Sequence, residues 1–95
     1  MLIDTHCHLD FPDFAEDLPA YVARAEAAGV GRMVTISTRV ARFADYAAIA
    51  ERFPSVWFSV GTHPHQAHEE LDVTAERLVD LSRHPRCVAI GEAGL

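Results

Sequence analysis

Two histidines stand one residue apart near the start of the chain, in the segment LIDTHCHLD at residues 2–10. Because successive side chains of a strand point to opposite faces, His6 and His8 would point the same way at the end of a strand over residues 2–7. Two imidazole nitrogens on one face can bind a single transition-metal ion such as Zn²⁺. The alternative interpretation is a pair of surface histidines at the end of a strand.

Histidines and a carboxylate also follow two later apolar runs. One run leads into GTHPH, with His63 and His65, and the other leads into AIGEAGL, with Glu92. If these runs are parallel strands, their carboxyl ends open on the side of the sheet where α/β folds bind ligands. A carboxylate such as Glu92 can bridge two divalent ions, the arrangement of two-metal hydrolysis. The sequence therefore predicts a metal centre on this side of the sheet.

The remaining candidate residues have competing interpretations. For His63, a role in binding substrate or supporting the metal ligands competes with direct ligation. His65 is interpreted as a turn residue or a contact at the rim of the site. Asp10 could hydrogen-bond a ligand histidine, or it could occupy a helix cap or a plain loop position. Arg39 and Arg42 could bind phosphate, but a solvated helix start is favoured for them.

The elements that must position these residues follow from two periodicities. Four short runs rich in apolar, β-branched and aromatic residues predict strands, at residues 2–7, 33–37, 56–61 and 87–91. Three amphipathic patterns predict helices between the strands, at residues 14–28, 40–50 and 73–82. Strands that alternate with helices indicate a parallel sheet with right-handed crossovers.

The resulting order, β-α-β-α-β-α-β, has a repeat of ~30 residues, the size of one unit of a TIM (β/α)₈ barrel. Such a barrel needs ~250 residues, and this chain has 95. We therefore expect one α/β domain, residues 1–95, that forms the N-terminal half of a barrel and ends just after the fourth strand. The bare first and fourth strands would permit self-association. The alternative is an open four-stranded sheet.

Composition and net charge limit the classes of protein to which the chain can belong. Hydrophobic residues make up 49% of the chain and charged residues 23%, which is typical of a globular domain. The net charge of −6 argues against a general nucleic-acid-coating surface, although a site could still hold phosphate through metal ions. The two cysteines do not predict a disulfide scaffold, and no long apolar run predicts a membrane span or a signal peptide. We therefore expect a cytoplasmic protein.

Three segments together resemble the signatures of the TatD family of metal-dependent hydrolases, which are amidohydrolase-like (β/α)₈ barrels. They are DTHCHLDF at residues 4–11, VGTHPH at residues 60–65 and AIGEAGL at residues 89–95. The resemblance implies that His6, His8 and Glu92 are metal ligands and that the catalytic Glu92 bridges two divalent ions (Zn, Mn or Mg). It also implies that His63 lies near the substrate.

The same resemblance implies a deoxyribonuclease that cleaves phosphodiester bonds of single-stranded or nicked DNA with metal-activated water. The family's other ligands, two histidines and an aspartate on later strands, have no counterpart up to Leu95, so we interpret the chain as the N-terminal portion of such an enzyme. One alternative is a non-catalytic fragment that binds metal weakly or needs a second chain. Others are a related hydrolase of another ester, such as D-aminoacyl-tRNA, and a phosphoesterase of the polymerase-and-histidinol-phosphatase type.

Overall fold

The computed structural model describes residues 1–14 and 16–93, with the backbone alone for Asp13. Within these ranges four strands form one parallel sheet in the order β1-β2-β3-β4. They are β1 (Leu2–Cys7), β2 (Val30–Thr35), β3 (Val56–Val60) and β4 (Cys87–Ile90). The same part of the chain has three α-helices between successive strands, α1 (Leu18–Ala27), α2 (Phe43–Arg52) and α3 (Ala75–Leu81). The predicted parallel order is confirmed.

The second strand differs from the prediction of residues 33–37, because it begins three residues earlier, at Val30, and ends two residues earlier. The preceding Gly29 has φ of +99°, a left-handed conformation that favours glycine and ends α1. The chain enters the sheet directly after this turn. The sequence pattern missed the first half of the strand because Gly31 and Arg32 interrupt the apolar run.

The core lies between the sheet and the helices α1 and α2. Strand β3 is central to it, since Val56, Phe58 and Val60 are fully excluded from solvent. Tyr46 of α2 is also fully buried, and its hydroxyl accepts the Thr38 N–H at 3.0 Å, so the polar end of the ring has a partner. Because β3 pairs in parallel with β2 and β4, the loops that follow these three strands lie at the same edge of the sheet.

Both edge strands expose apolar side chains. Leu2 and Ile3 of β1, and Val88 and Ile90 of β4, are each more than half exposed. The sequence predicted bare first and fourth strands, and this exposure agrees with that prediction. Within the described residues, every helix is too short or too polar to span a lipid bilayer.

Candidate metal centre

The carboxyl ends of β1 and β4 bring His6, His8 and Glu92 together. One possible ligand atom from each residue lies within 4.8 Å of the other two. The side chain of His6 is 54% exposed and that of Glu92 is 29% exposed, so the cluster opens to solvent. Two imidazoles and one carboxylate form a donor set that suits Zn²⁺ or a similar divalent ion. The residues therefore fit the metal that the resemblance implies.

His8 is held in one orientation by two contacts. Its Nδ1 lies 3.1 Å from the Ile36 carbonyl oxygen, and its ring stacks on Phe11 with centroids 4.7 Å apart. A carbonyl oxygen can only accept a hydrogen bond, so Nδ1 must carry the proton. In the neutral ring, Nε2 then keeps its lone pair, which is the form that a metal ion binds.

The backbone of β1 is irregular where it carries the two histidines. The register of β1 against β2 shifts between Asp4 and Cys7. At this point the His6 N–H donates to the Asp4 carboxylate at 3.0 Å. Cys7 packs against the core instead, and its thiol donates to the Val34 carbonyl at 3.4 Å. Burial, with the charges of Asp4 and Asp10, raises the pKa of the Cys7 thiol to about 12, so it stays protonated.

The Glu92 carboxylate lies between histidines from two different strand ends. Its Oε2 is 3.3 Å from His6 Nε2, and its Oε1 is 3.4 Å from His63 Nε2. His63 Nδ1 accepts the His65 N–H at 3.1 Å, so the proton of the neutral His63 ring is on Nε2. In this tautomer the Nε2–H of His63 lies on the side of Glu92, and Nε2 has no lone pair to offer an ion.

Glu70, a residue that the sequence pattern did not single out, fastens the loop that carries His63 to the 3₁₀ helix Val40–Arg42, which precedes α2. The Glu70 carboxylate accepts the Thr62 hydroxyl at 2.7 Å and the N–H groups of Val40 and Ala41 at 2.8 and 2.9 Å. Nothing in the sequence distinguishes Glu70 from the neighbouring Glu69, because the three groups that bind Glu70 come from two separate loops.

These contacts change the acidity of Glu70. Burial alone would raise its pKa, but the hydroxyl of Thr62, the two backbone N–H groups and the charge of Arg39 together hold the pKa below its ordinary value. The Glu70 carboxylate is therefore ionised at neutral pH.

His65 follows β3, in the loop where the sequence predicted a turn residue or a contact at the rim. It belongs to the 3₁₀ helix Pro64–Glu69, and its ring centroid is 4.8 Å from that of His63. It lines an open cleft of about 220 Å³ that includes His8 of the His6, His8 and Glu92 cluster. The other residues that line the cleft are His8, Phe11, Thr38, Arg39, His63 and Gln66.

Asp10 does not hydrogen-bond a histidine in the described structure. Its side chain is only 1% exposed and lies 3.7 Å from the guanidinium of Arg42. Neither carboxylate oxygen has a hydrogen-bond partner among the described residues. His8 takes its support from the Ile36 carbonyl instead, so Asp10 is here a buried partner of Arg42.

Both arginines after β2 are paired with carboxylates. Arg39 binds Glu69 through Nε and Nη2, both at 3.3 Å, and Arg42 binds Asp45 at 3.1 Å. Their guanidinium groups are only partly exposed. This pairing agrees with the favoured interpretation of a solvated helix start.

Comparison with known proteins places this chain in a family. A family model described as TatD related DNase matches residues 3–95. The chain belongs to the TatD family. The resemblance seen in its three motifs is therefore confirmed, which removes the polymerase-and-histidinol-phosphatase alternative. The last two residues of the third motif, Gly94 and Leu95, lie outside the described residues.

Two relatives show how much of a TatD protein the chain represents. It is 42% identical over 95 residues to the uncharacterized metal-dependent hydrolase YjjV of Escherichia coli K12, covering 98% of this chain and 37% of that protein. It is 37% identical over 94 residues to the 3′-5′ ssDNA/RNA exonuclease TatD of Enterobacter lignolyticus, covering 99% and 36%. The chain thus spans little more than a third of the length of these TatD proteins.

A solved structure supports the same conclusion for the fold. The crystal structure of YjjV, a TatD homologue from E. coli K12, matches this chain with a TM-score of 0.78 and 35% sequence identity. The match covers 99% of this chain and 37% of that one. The prediction of the N-terminal portion of a TIM barrel is therefore confirmed.

Proposed function

We propose that this chain supplies the first metal ligands of a TatD-type nuclease that cleaves phosphodiester bonds of single-stranded or nicked DNA. The observation that carries the proposal is the convergence of His6, His8 and Glu92, whose ligand atoms lie within 4.8 Å of one another. The names of the relatives support it, since one is a metal-dependent hydrolase and the other is an exonuclease of single-stranded DNA and RNA.

Each residue of the cluster has a distinct part in this proposal. His6 and His8 would ligate through neutral imidazole nitrogens, and Glu92 would be the catalytic carboxylate that bridges two divalent ions such as Zn²⁺, Mn²⁺ or Mg²⁺. When bound, the ions would polarise a phosphoryl oxygen and activate water. The two oxygens of Glu92 face different histidines, an orientation that suits a bridging carboxylate.

The histidines after β3 would act on the substrate and on Glu92 without ligating. The Nε2–H of His63 would hold the Glu92 carboxylate and could also donate to a substrate oxygen at the mouth of the site. His65 would contact the nucleic acid at the rim, in the cleft that it shares with Phe11. Asp10 would act indirectly, by pairing with Arg42 and so supporting the loop that follows His8.

The charge distribution favours phosphate binding through metal ions. The chain has a net charge of −6, and Arg39 and Arg42 already pair with carboxylates. These guanidinium groups are thus poorly placed to neutralise a phosphate. Bound divalent ions would be the largest positive charges at the site.

The proposal is tested by titrating the purified chain with Mn²⁺ in a calorimeter. We expect binding that Glu92→Ala and His8→Ala weaken by more than about 100-fold, since losing a residue that only supports a ligand already costs about 10–100-fold. Glu76→Ala, which removes an exposed carboxylate on α3, is the matched control and should bind like the wild type. Absence of binding by the wild type, or equal binding by all variants, would contradict the proposal.

A cleavage assay separates the nuclease from the fragment alternative. Labelled single-stranded DNA is incubated with the chain and Mn²⁺ or Mg²⁺, with the same three variants. Cleavage that requires His8 and Glu92 would mean that these residues form a working site in this chain. Metal binding without cleavage would support the ligand assignment and favour a chain that needs further residues or a second copy for activity.

A further inference from the structure

Two buried serines connect the ends of three strands to the peptide that precedes Glu92. Ser37 is fully buried and Ser59 is 1% exposed. The Ser59 hydroxyl donates to the Gly91 carbonyl at 2.7 Å and accepts the Ser37 N–H at 3.0 Å. The Ser37 hydroxyl donates to the Gly61 carbonyl at 2.6 Å. The two hydroxyls thus link the loops after β2, β3 and β4 in one continuous network.

The chain also approaches itself closely at this point. A side-chain carbon added to Gly61 would lie 2.8 Å from the carbonyl carbon and oxygen of Gly91, which only a glycine avoids. The Gly91 N–H donates to the Val60 carbonyl at 2.8 Å. The Gly91 N–H and carbonyl are therefore hydrogen-bonded to Val60 and Ser59, and the Gly91 backbone lies against Gly61.

Glu92 needs this support because the residue before it is a glycine. Gly91 has φ of +156° and no side chain that would restrict its rotation. The Gly91 carbonyl belongs to the planar peptide that ends at the Glu92 nitrogen and Cα. A hydrogen bond that fixes this carbonyl therefore fixes the position of the Glu92 Cα, the atom from which the side chain leaves the backbone.

We propose that Ser59, oriented by Ser37, is a positioning residue that holds the Glu92 carboxylate close to His6 and His8. The proposal rests on the proposed function, in which Glu92 is a ligand. Ser59 itself is neither a ligand nor a catalytic residue in this proposal. Its hydroxyl is buried and is bonded to two backbone groups, not to His6, His8 or Glu92. Without Ser59, Glu92 would still be able to bind a metal ion, but its carboxylate would no longer be held in the orientation that places it beside His6 and His8.

The first test compares Mn²⁺ affinity between two serine variants of the same strand region. Ser59→Ala removes the bond to Gly91, and we expect it to weaken Mn²⁺ binding by about 10-fold, the lower end of the cost of losing a residue that orients a ligand. Ser55→Ala is the matched control, because the Ser55 hydroxyl is buried at the opposite end of β3 without a hydrogen-bond partner among the described residues. Ser59→Thr keeps the hydroxyl and should restore most of the affinity.

A second readout needs no metal. Amide hydrogen exchange of the Gly91 N–H, measured by NMR on the metal-free chain, should be faster in Ser59→Ala than in the wild type. Exchange of the Val56 N–H, which donates to the Phe53 carbonyl at the opposite end of β3, should change only as much as global stability changes. If Ser59→Ala does not fold, Ser59→Cys replaces it, since a thiol is a weaker donor of similar size.

The two readouts separate the possible failures. If Ser59→Ala matches Ser55→Ala in both Mn²⁺ affinity and Gly91 exchange, the positioning role is wrong. It is also wrong if Ser59→Thr folds but restores neither quantity. If the wild type binds no Mn²⁺, the proposed function fails, and Gly91 exchange alone then decides whether Ser59 fixes the peptide before Glu92.

Discussion

At the scale of single residues, ligand geometry depends on which ring nitrogen carries the proton. His8 Nδ1–H donates a hydrogen bond to the Ile36 carbonyl, whereas His63 Nδ1 accepts a hydrogen bond from the His65 N–H. The two rings therefore present opposite groups at Nε2, a lone pair on His8 and a donor on His63. Both histidines belong to the sequence motifs. The difference in their tautomers arises from the Ile36 carbonyl and the His65 N–H, and the spacing of residues in the motifs does not predict these contacts.

The two arginines after β2 give a prediction at the same scale. Arg39 and Arg42 are about equally exposed, at 36% and 37%, but Glu69 is 41% exposed whereas Asp10 is 1% exposed. Arg39→Ala should lower the free energy of unfolding by about 0–1 kcal/mol, as for surface ion pairs. Arg42→Ala should lower it by about 1–3 kcal/mol more, because it leaves Asp10 buried without its partner.

Urea unfolding of the two variants measures this difference. Adding Asp10→Asn to Arg42→Ala should recover part of the loss, because an amide carries no charge that needs a counter-ion. Equal destabilisation by Arg39→Ala and Arg42→Ala would show that burial of Asp10 has no energetic consequence.

At the scale of elements, the loop after β3 depends on an ionised carboxylate. The pKa of Glu70 is lower in the folded chain than its ordinary value, so its contribution to stability is fully present above that value. The contribution is lost as pH falls through the lowered pKa of the folded state. Glu70→Gln should therefore be destabilising at neutral pH, and its difference from the wild type should shrink in acid.

The measurement is the free energy of unfolding of the wild type and Glu70→Gln between neutral pH and pH values below the ordinary pKa of glutamate. Glu69→Gln is the control, because the Glu69 carboxylate pairs only with the exposed Arg39 in the described structure. A Glu70→Gln difference that does not change with pH would mean that the charge of Glu70 does not hold the loop.

At the scale of the whole molecule, the bare edges give a prediction about association. Val88 on β4 and Val79 on α3 are similarly exposed, at 54% and 49%, but only Val88 lies on a strand edge. Edge strands with apolar side chains are templates for pairing with another chain. We expect the apparent mass in sedimentation experiments to rise with concentration, and we expect Val88→Lys to reduce this rise while Val79→Lys leaves it unchanged. A constant monomer mass would contradict the prediction.

The sequence by itself determined the alternation of strands and helices and the order of the three motifs. These are properties of local pattern, because periodicity and strand-end position can be read from neighbouring residues. It therefore predicted a parallel sheet with His6, His8 and Glu92 at one side. It placed the start of β2 wrongly, since Gly31 and Arg32 conceal the strand and only pairing with β1 reveals it.

Only the tertiary structure decided which groups support the site. Ser59 reaches Gly91 across 32 positions in the chain, and Glu70 reaches Val40 across 30. Asp10, which the motif places beside the histidines, faces Arg42 instead. The packing of parallel strands beside β3 brings these partners together. The hydrogen bonds that orient a side chain can therefore form only after the sheet has formed, which is why the sequence alone did not predict them.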